Sequence, residues 1–180
     1  RNEAAFVTTG ASGGILLASA ACIAGKNPEN RRRLPKTDGM RNEFVVQRCA
    51  HTEHEFSIHH AGGVIVSVGD EQRATPEELD AAIGDSTAAV FITPRGTGPE
   101  GMVSVGETVE IAHSKSVPVI VDAAAQLPPP ENLWYFTQDL GADLVIFSGG
   151  KGLCGPQASG LILGRAELID RVSVPTPEGR

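Results

Sequence analysis

No stretch of this 180-residue chain stays apolar for the roughly 18 residues that a membrane-spanning helix needs. Its start, Arg1-Asn2-Glu3, lacks the apolar core of a secretory signal. Cysteine is scarce: Cys22, Cys49 and Cys154 are odd in number and far apart, with no CxxC pair, so neither a disulfide framework nor a thiolate zinc site is indicated. Basic excess is missing too, since 15 Lys and Arg stand against 22 Asp and Glu. The net charge of −7 argues against a broad grip on nucleic acid. The one basic run, Arg31 to Arg33, lies in the long polar stretch Gly25 to Asn42 and reads as a solvated loop or a local anion or RNA contact. The expectation is a soluble protein of a reducing cytoplasm.

What is present is an ordinary globular composition, 41% hydrophobic, enough for one sizeable core. Apolar strands alternate with helical patterns, which predicts successive βα units around a largely parallel sheet. Strands are expected near 4–8, 44–48, 63–68, 87–92, 117–121, 143–147 and 159–163. Helices are expected near 12–24, 52–61, 75–83, 104–115 and 131–139. "TPEELDAAI" is the clearest helix start, with Thr75 as cap, Pro76 in the first turn and Glu78 three residues after the cap. The helix-like run Arg165 to Arg171 gives way to the turn-like "VPTPEGR", and the absence of an initiator Met suggests a fragment.

"FVTTGASGGILLASAA", Phe6 to Ala21, is a strand, a Gly/Ser turn and an Ala/Leu-rich helix, a design that offers backbone N–H groups to an anion. Two enzyme classes use it. A short-chain dehydrogenase opens this way but needs a Tyr with a Lys four residues on to pass a proton. The single Tyr, Tyr135, has Asp139 at that spacing, and Leu17 stands where the turn's next glycine is required. The other class needs a strand-end carboxylate and an amine nucleophile downstream. "VPVIVDAAAQ" is an apolar strand ending in Asp122, and "ADLVIFSGGKGLCGPQASG" delivers Lys151 in a glycine-rich turn 29 positions later. An acid there can hold a protonated pyridine nitrogen while a Lys amine takes an aldehyde, which is pyridoxal phosphate chemistry. Singly, the Asp also reads as a helix cap and the Lys as an exposed loop residue.

With "VTTGASGG", "IVDAAAQLPP" and "DLVIFSGGKGLCGPQASGLILG" together, nearly the whole chain resembles the fold-type-I pyridoxal-phosphate enzymes. The likeness is to the aminotransferase class V-like group around selenocysteine synthase and D-glucosaminate-6-phosphate ammonia-lyase. The resemblance implies an α/β fold: a three-layer, mainly parallel sheet with helices on both faces, the large domain of such enzymes. Residues 1–180 would be part of that domain, with an N-terminal segment and a C-terminal small domain missing. It implies Lys151 as the Schiff-base lysine, Asp122 as the pyridine partner, Gly10, Ala11 and Ser12 as the phosphate cradle, and Ser148 as a further phosphate-holding hydroxyl. A flat side chain stacks on the cofactor ring just after the second strand, where "QRCAHTEHEF" offers His51 first and His54 second. Cys154 stands where relatives carry Arg and is expected to be a small buried filler.

Arg95, in Thr93-Pro94-Arg95-Gly96 after another strand, is a candidate clamp for a substrate carboxylate or phosphate, or a solvated arginine. His54 is a second substrate candidate. Gln126 either touches the cofactor or turns the chain toward the prolines that follow. His51 and His54, one helical turn apart, also allow a metal reading, without an HExxH motif or a committed third ligand. The activity implied is a lyase acting by α-proton abstraction and β-elimination on an amino acid or amino-sugar acid. The alternative is transfer onto seryl-tRNA, as in L-seryl-tRNA(Sec) selenium transferase; a non-catalytic or metal-binding module is the remaining one. A homodimer or larger assembly is implied, with tRNA not favoured by the charge.

Overall fold

The computed structural model describes residues 2–95 and 101–173. Seven strands form one sheet: β1 (Ala4–Thr8), β2 (Glu43–Gln47), β3 (Val64–Val68), β4 (Thr87–Ile92), β5 (Val119–Asp122), β6 (Leu144–Ser148) and β7 (Gly160–Gly164). Their order across the sheet is β1-β7-β6-β5-β4-β2-β3. The pairings from β3 through β6 are parallel, and β7 runs antiparallel to both β1 and β6. Every expected strand is present, with ends shifted by up to two residues.

The central strands are apolar on both faces because helices cover both. Phe44, Val46, Phe91, Ile120, Leu144, Ile146 and Ile162 face one core, which Ile15 and Ala18 of α1 (Gly10–Ala24), Ile58 of α3 (Phe56–His60) and Leu168 and Ile169 of α7 (Ala166–Val172) complete. Val45, Val90, Ile92, Val121, Val145 and Phe147 face the other, against Leu79 of α4 (Pro76–Ala82), Val109 and Ala112 of α5 (Val105–Ser114) and Phe136. Alternating residues of one strand thus enter opposite cores, the period-2 geometry of a sheet buried on both sides. This is the three-layer, mainly parallel arrangement that the resemblance implies.

Three expectations are corrected. The polar stretch Gly25 to Asn42 is not all loop: α2 (Pro28–Arg33) starts at Asn27, whose side chain accepts the Glu29 N–H at 2.9 Å. Arg31, Arg32 and Arg33 fill its last turn, where cations complement the helix dipole. The helix expected over 52–61 is broken into a 3₁₀ turn, Glu53–Glu55, and α3. The helix near 131–139 is α6 (Asn132–Trp134) followed by a π turn, Tyr135–Asp139. The Thr75 capping box is formed. The turn expected over 174–180, and Gly96, lie outside the described residues.

Candidate active site

The strand ends singled out by sequence meet at one edge of the sheet. Ser148 ends β6 opposite Gly160, and Gly160 also stands opposite Thr8 at the end of β1. Asp122 ends β5 opposite Ile146 of β6. The turn after β1, the loop after β6 and the end of β5 are therefore neighbours, as ligand sites of open α/β sheets require.

Gly10 has φ +85°, a left-handed conformation that lets the chain leave β1 and enter α1 at once. A Cβ on Gly160 would lie 2.5 Å from the Gly10 carbonyl carbon, so only glycine allows the turn to pack against β7. Thr9 makes no side-chain cap and the first turn of α1 holds no acid. The leading N–H groups around Ala11 and Ser12 thus lack a side-chain acceptor, and the positive end of a 15-residue helix remains for an anion.

Asp122 is 3% exposed, and among the described residues a single donor reaches it, Ala124 N–H at 3.0 Å. Burial raises its pKa above the ordinary carboxylate value, offset in part by the Ala124 N–H and by the charges of His54 and Lys151. Asp143, at the opposite edge, is the instructive contrast. It is 1% exposed, yet its oxygens accept from Val119 N–H (2.8 Å), pair with Arg165 (2.9 Å) and meet His113 Nε2 (2.8 Å). Asp143 is satisfied and structural, whereas Asp122 is buried and still short of a cation or donor. A second polar atom in the same place has the same deficit: Thr93 Oγ1 is buried with no hydrogen-bond partner among the described residues. Thr93 follows Ile92, which pairs with Val121, and so leaves the sheet beside Asp122.

Lys151 is exposed at the top of a loop closed by its own backbone: Gly149 N–H donates to Ser159 O (2.8 Å), Gly155 N–H to Gly149 O (2.7 Å) and Cys154 N–H to Lys151 O (2.9 Å). Its charge is close enough to lower the Asp122 pKa. Cys154 is corrected from a buried filler to an exposed residue, placed on the outside of the turn by a φ of +54°.

The two histidines part company. His51 is held at both ring nitrogens, Nδ1 by Glu55 and Nε2 by Ser67 Oγ at 2.9 Å. Glu55 is 4% exposed and also accepts the Thr52 N–H at 3.0 Å. His54 is the imidazole whose charge reaches Asp122. Arg95 donates to His51 O at 2.6 Å, and Gln126 Nε2 donates to Pro94 O at 2.8 Å, tying the β4 exit to the β5 exit. Among the described residues no three His, Cys, Asp or Glu side chains gather as metal ligands. None of the described helices is long and apolar enough to cross a membrane. Thr93, Glu55 and Ser67 escaped the sequence reading, because an orphaned hydroxyl and a clamped imidazole depend on partners distant in sequence.

These residues suit a cofactor with a phosphate, an aldehyde and a basic ring nitrogen: an uncapped helix end, an amine, and a buried acid that needs a cation. Comparison with known proteins agrees. The chain is 36% identical to D-glucosaminate-6-phosphate ammonia lyase of Salmonella typhimurium, over 93% of this chain and 45% of that one. It is 30% identical to an L-seryl-tRNA(Sec) selenium transferase of Geobacter metallireducens, over 93% of this chain and 36% of the other. A solved D-glucosaminate-6-phosphate ammonia-lyase superposes with a TM-score of 0.86 at 34% identity, covering 95% of this chain and 46% of that one. The chain thus spans less than half the length of the curated relatives it matches. Residues 49–179, which carry Asp122, Lys151 and both histidines, match the aminotransferase class-V model, and the chain belongs to that family, whose cofactor here is pyridoxal 5′-phosphate.

Proposed function

We propose that this chain is the cofactor-binding large domain of a pyridoxal-phosphate-dependent lyase, which removes ammonia from an amino acid or amino-sugar acid after α-proton abstraction and β-elimination. The observation that carries this reading is Asp122: a buried carboxylate with one donor, its pKa raised by burial, beside an exposed lysine and an orphaned Thr93 hydroxyl. When bound, the cofactor supplies an electron sink for the carbon that loses its proton.

The chain's own residues do the rest. The α1 N-terminus at Gly10, Ala11 and Ser12 holds the phosphate, with Ser148 beside it, because uncapped N–H groups and the helix dipole both favour an anion. The Asp122 carboxylate holds a proton on the ring nitrogen, since a buried ionised acid is stabilised by a cation. Thr93 Oγ1, without a partner among the described residues, would be free to hydrogen-bond the cofactor. Lys151 Nζ would be the amine that holds the cofactor's aldehyde carbon and the base that carries the substrate's α-proton. His54, whose charge is among those that lower the Asp122 pKa, would flank the ring, and His51, held at both ring nitrogens by Glu55 and Ser67, is the other candidate. Arg95 clamps a substrate anion.

Borohydride reduction followed by peptide mapping tests the site. The cofactor label is expected on Lys151, and a label on Lys115 or Lys36 would end the assignment. Similarity to L-seryl-tRNA(Sec) selenium transferase keeps transfer onto seryl-tRNA as a second reading. A serine-tRNA band shift that weakens steeply with salt would favour it, and no shift at low salt would dismiss it.

A further inference from the structure

His51 is held at three points. Its Nδ1 meets Glu55, its Nε2 meets Ser67 Oγ at 2.9 Å, and its carbonyl oxygen accepts from Arg95 at 2.6 Å. The sheet explains the meeting: β3 is an edge strand, Ser67 stands opposite Val46 of β2, and the 3₁₀ turn Arg48–Ala50 after β2 leads straight into His51. A buried acid, an imidazole and a hydroxyl thus stand in series. Of the other histidines hydrogen-bonded among the described residues, His113 meets a buried acid, Asp143, but no hydroxyl, and His59 and His60 each meet a main-chain carbonyl. Ser67 is as unusual among hydroxyls. Ser114, Ser159 and Ser173 donate to carbonyls three residues back, which ties them to local structure. Ser67 is exposed, and its partner is a ring nitrogen.

The buried acid fixes which nitrogen carries the proton. Glu55 is 4% exposed and accepts the Thr52 N–H with one oxygen, so the other needs a donor, and His51 Nδ1–H is in place to be that donor. That leaves the Nε2 lone pair to accept the Ser67 O–H. Burial raises the Glu55 pKa, and the Thr52 N–H and the His51 charge pull it back, so a proton arriving on Nε2 is matched by the carboxylate across the ring. Ser67 and His51 open onto a cleft of about 520 Å³ whose other walls are Arg48, Cys49, Glu71 and Arg95. Arg95 uses one nitrogen on the His51 carbonyl and keeps further N–H donors for an oxygen that becomes negative.

We propose that Ser67 is a nucleophile toward small carboxylic esters, with His51 as its general base and Glu55 as the positioning residue, a second activity that needs neither Lys151 nor the cofactor. Ser67 Oγ bonds to the ester carbonyl carbon as its proton passes to His51 Nε2. The ester C–O bond then breaks, the leaving alcohol takes that proton, and the acyl group stays on Ser67. Water completes the cycle: its oxygen bonds to the acyl carbon as one of its protons passes to Nε2, and the carboxylic acid leaves as Ser67 Oγ recovers the proton. These roles are recognised by geometry, so the chain order His51, Glu55, Ser67 is no obstacle.

The test is a fluorophosphonate probe on the full-length protein, from which Ser67 Oγ displaces fluoride while its proton passes to His51. Peptide mapping should find the adduct on Ser67 in the folded protein and not in the protein unfolded by guanidinium. S67A should abolish that adduct and bring hydrolysis of p-nitrophenyl acetate down to the solution background. H51A should slow both by at least about 10²-fold, the low end of what a positioned general base contributes. E55Q, whose amide can donate to Nδ1 and so put the imidazole proton on Nε2, should slow both as well. E55D keeps the charge and should restore part of the rate, a separation that a merely structural Glu55 would not produce. Ser67 is exposed, so S67A should fold, and thermal unfolding checks each variant. No adduct on Ser67, an adduct that forms as fast in H51A or in unfolded protein, or ester hydrolysis that S67A does not reduce, overturns the proposal. E55Q and E55D of equal rate overturn the part given to Glu55.

Discussion

Asp122→Asn should raise the stability of the cofactor-free protein and weaken its hold on the cofactor, two effects of opposite sign from one atom. Asp122 is 3% exposed with one N–H donor among the described residues, and burial holds its pKa above the ordinary carboxylate value. An amide of the same shape keeps the Ala124 N–H bond and removes the charge. Unsatisfied burial of a polar group costs about 1–3 kcal/mol in proteins, and the charges of His54 and Lys151 already offset part of it, so the gain is put at about 1 kcal/mol. For a chain of this size that is about 2–4 °C in Tm. The pH dependence has a definite sign. A carboxyl whose folded pKa is raised costs stability above that pKa, and the cost disappears as pH falls through the folded value to the unfolded one. The advantage of Asn over Asp is therefore full at neutral pH and lost in acid. With cofactor the order reverses: losing a charge-assisted hydrogen bond costs about 1.5–3 kcal/mol, tenfold or more in affinity. Proton removal from substrate should slow by at least about 10²-fold, the usual weight of a positioned charge. Calorimetric melting across pH, cofactor titration by absorbance and turnover of the full-length enzyme measure the three effects. A variant that is less stable without cofactor and binds cofactor normally would show that Asp122 merely caps the turn at Ala124.

Further outcomes follow from the same geometry. His54→Ala should shift the visible absorbance of the bound cofactor, whereas His51→Ala should leave that spectrum in place; the reverse pattern would restore His51 to the ring. Lys151 is exposed on an open sheet edge, where water competes for any charge formed. The full-length holoenzyme should therefore sediment as a dimer or larger, with a second subunit covering the site, and a fully active monomer at assay concentration would refute that.

Much of this molecule is written locally. The valine and isoleucine runs that end in Asp122 and in Ser148 predict strands because residues apolar on both faces belong between two helical layers, and each strand appears where expected. Thr75, Pro76 and Glu78 announce α4 because a capping box closes within four residues. The Gly10 turn, Asp122 and Lys151 are legible because each lies at the end of a strand, and parallel strands share one C-terminal edge.

What the sequence left open depends on contacts between distant segments. α2 buries none of its residues, so it carries no hydrophobic period, and only the Asn27-Pro28-Glu29 start betrays it. His51 and His54 are interchangeable by spacing; Ser67, on another strand, and the burial of Glu55 separate them. Cys154 reads as core by residue type, yet a left-handed turn puts it outside. Thr93 became visible only as a buried hydroxyl without a partner. Asp122 and Asp143 are alike in sequence as acids flanking apolar strands. Among the described residues the fold brings Arg165, His113 and the Val119 N–H to Asp143 and a single backbone N–H to Asp122. Local pattern thus decided which residues reach the sheet edges. Tertiary packing decided which buried charge was left without a partner, because the energy of a buried carboxylate is set by the donors that the rest of the chain brings to it.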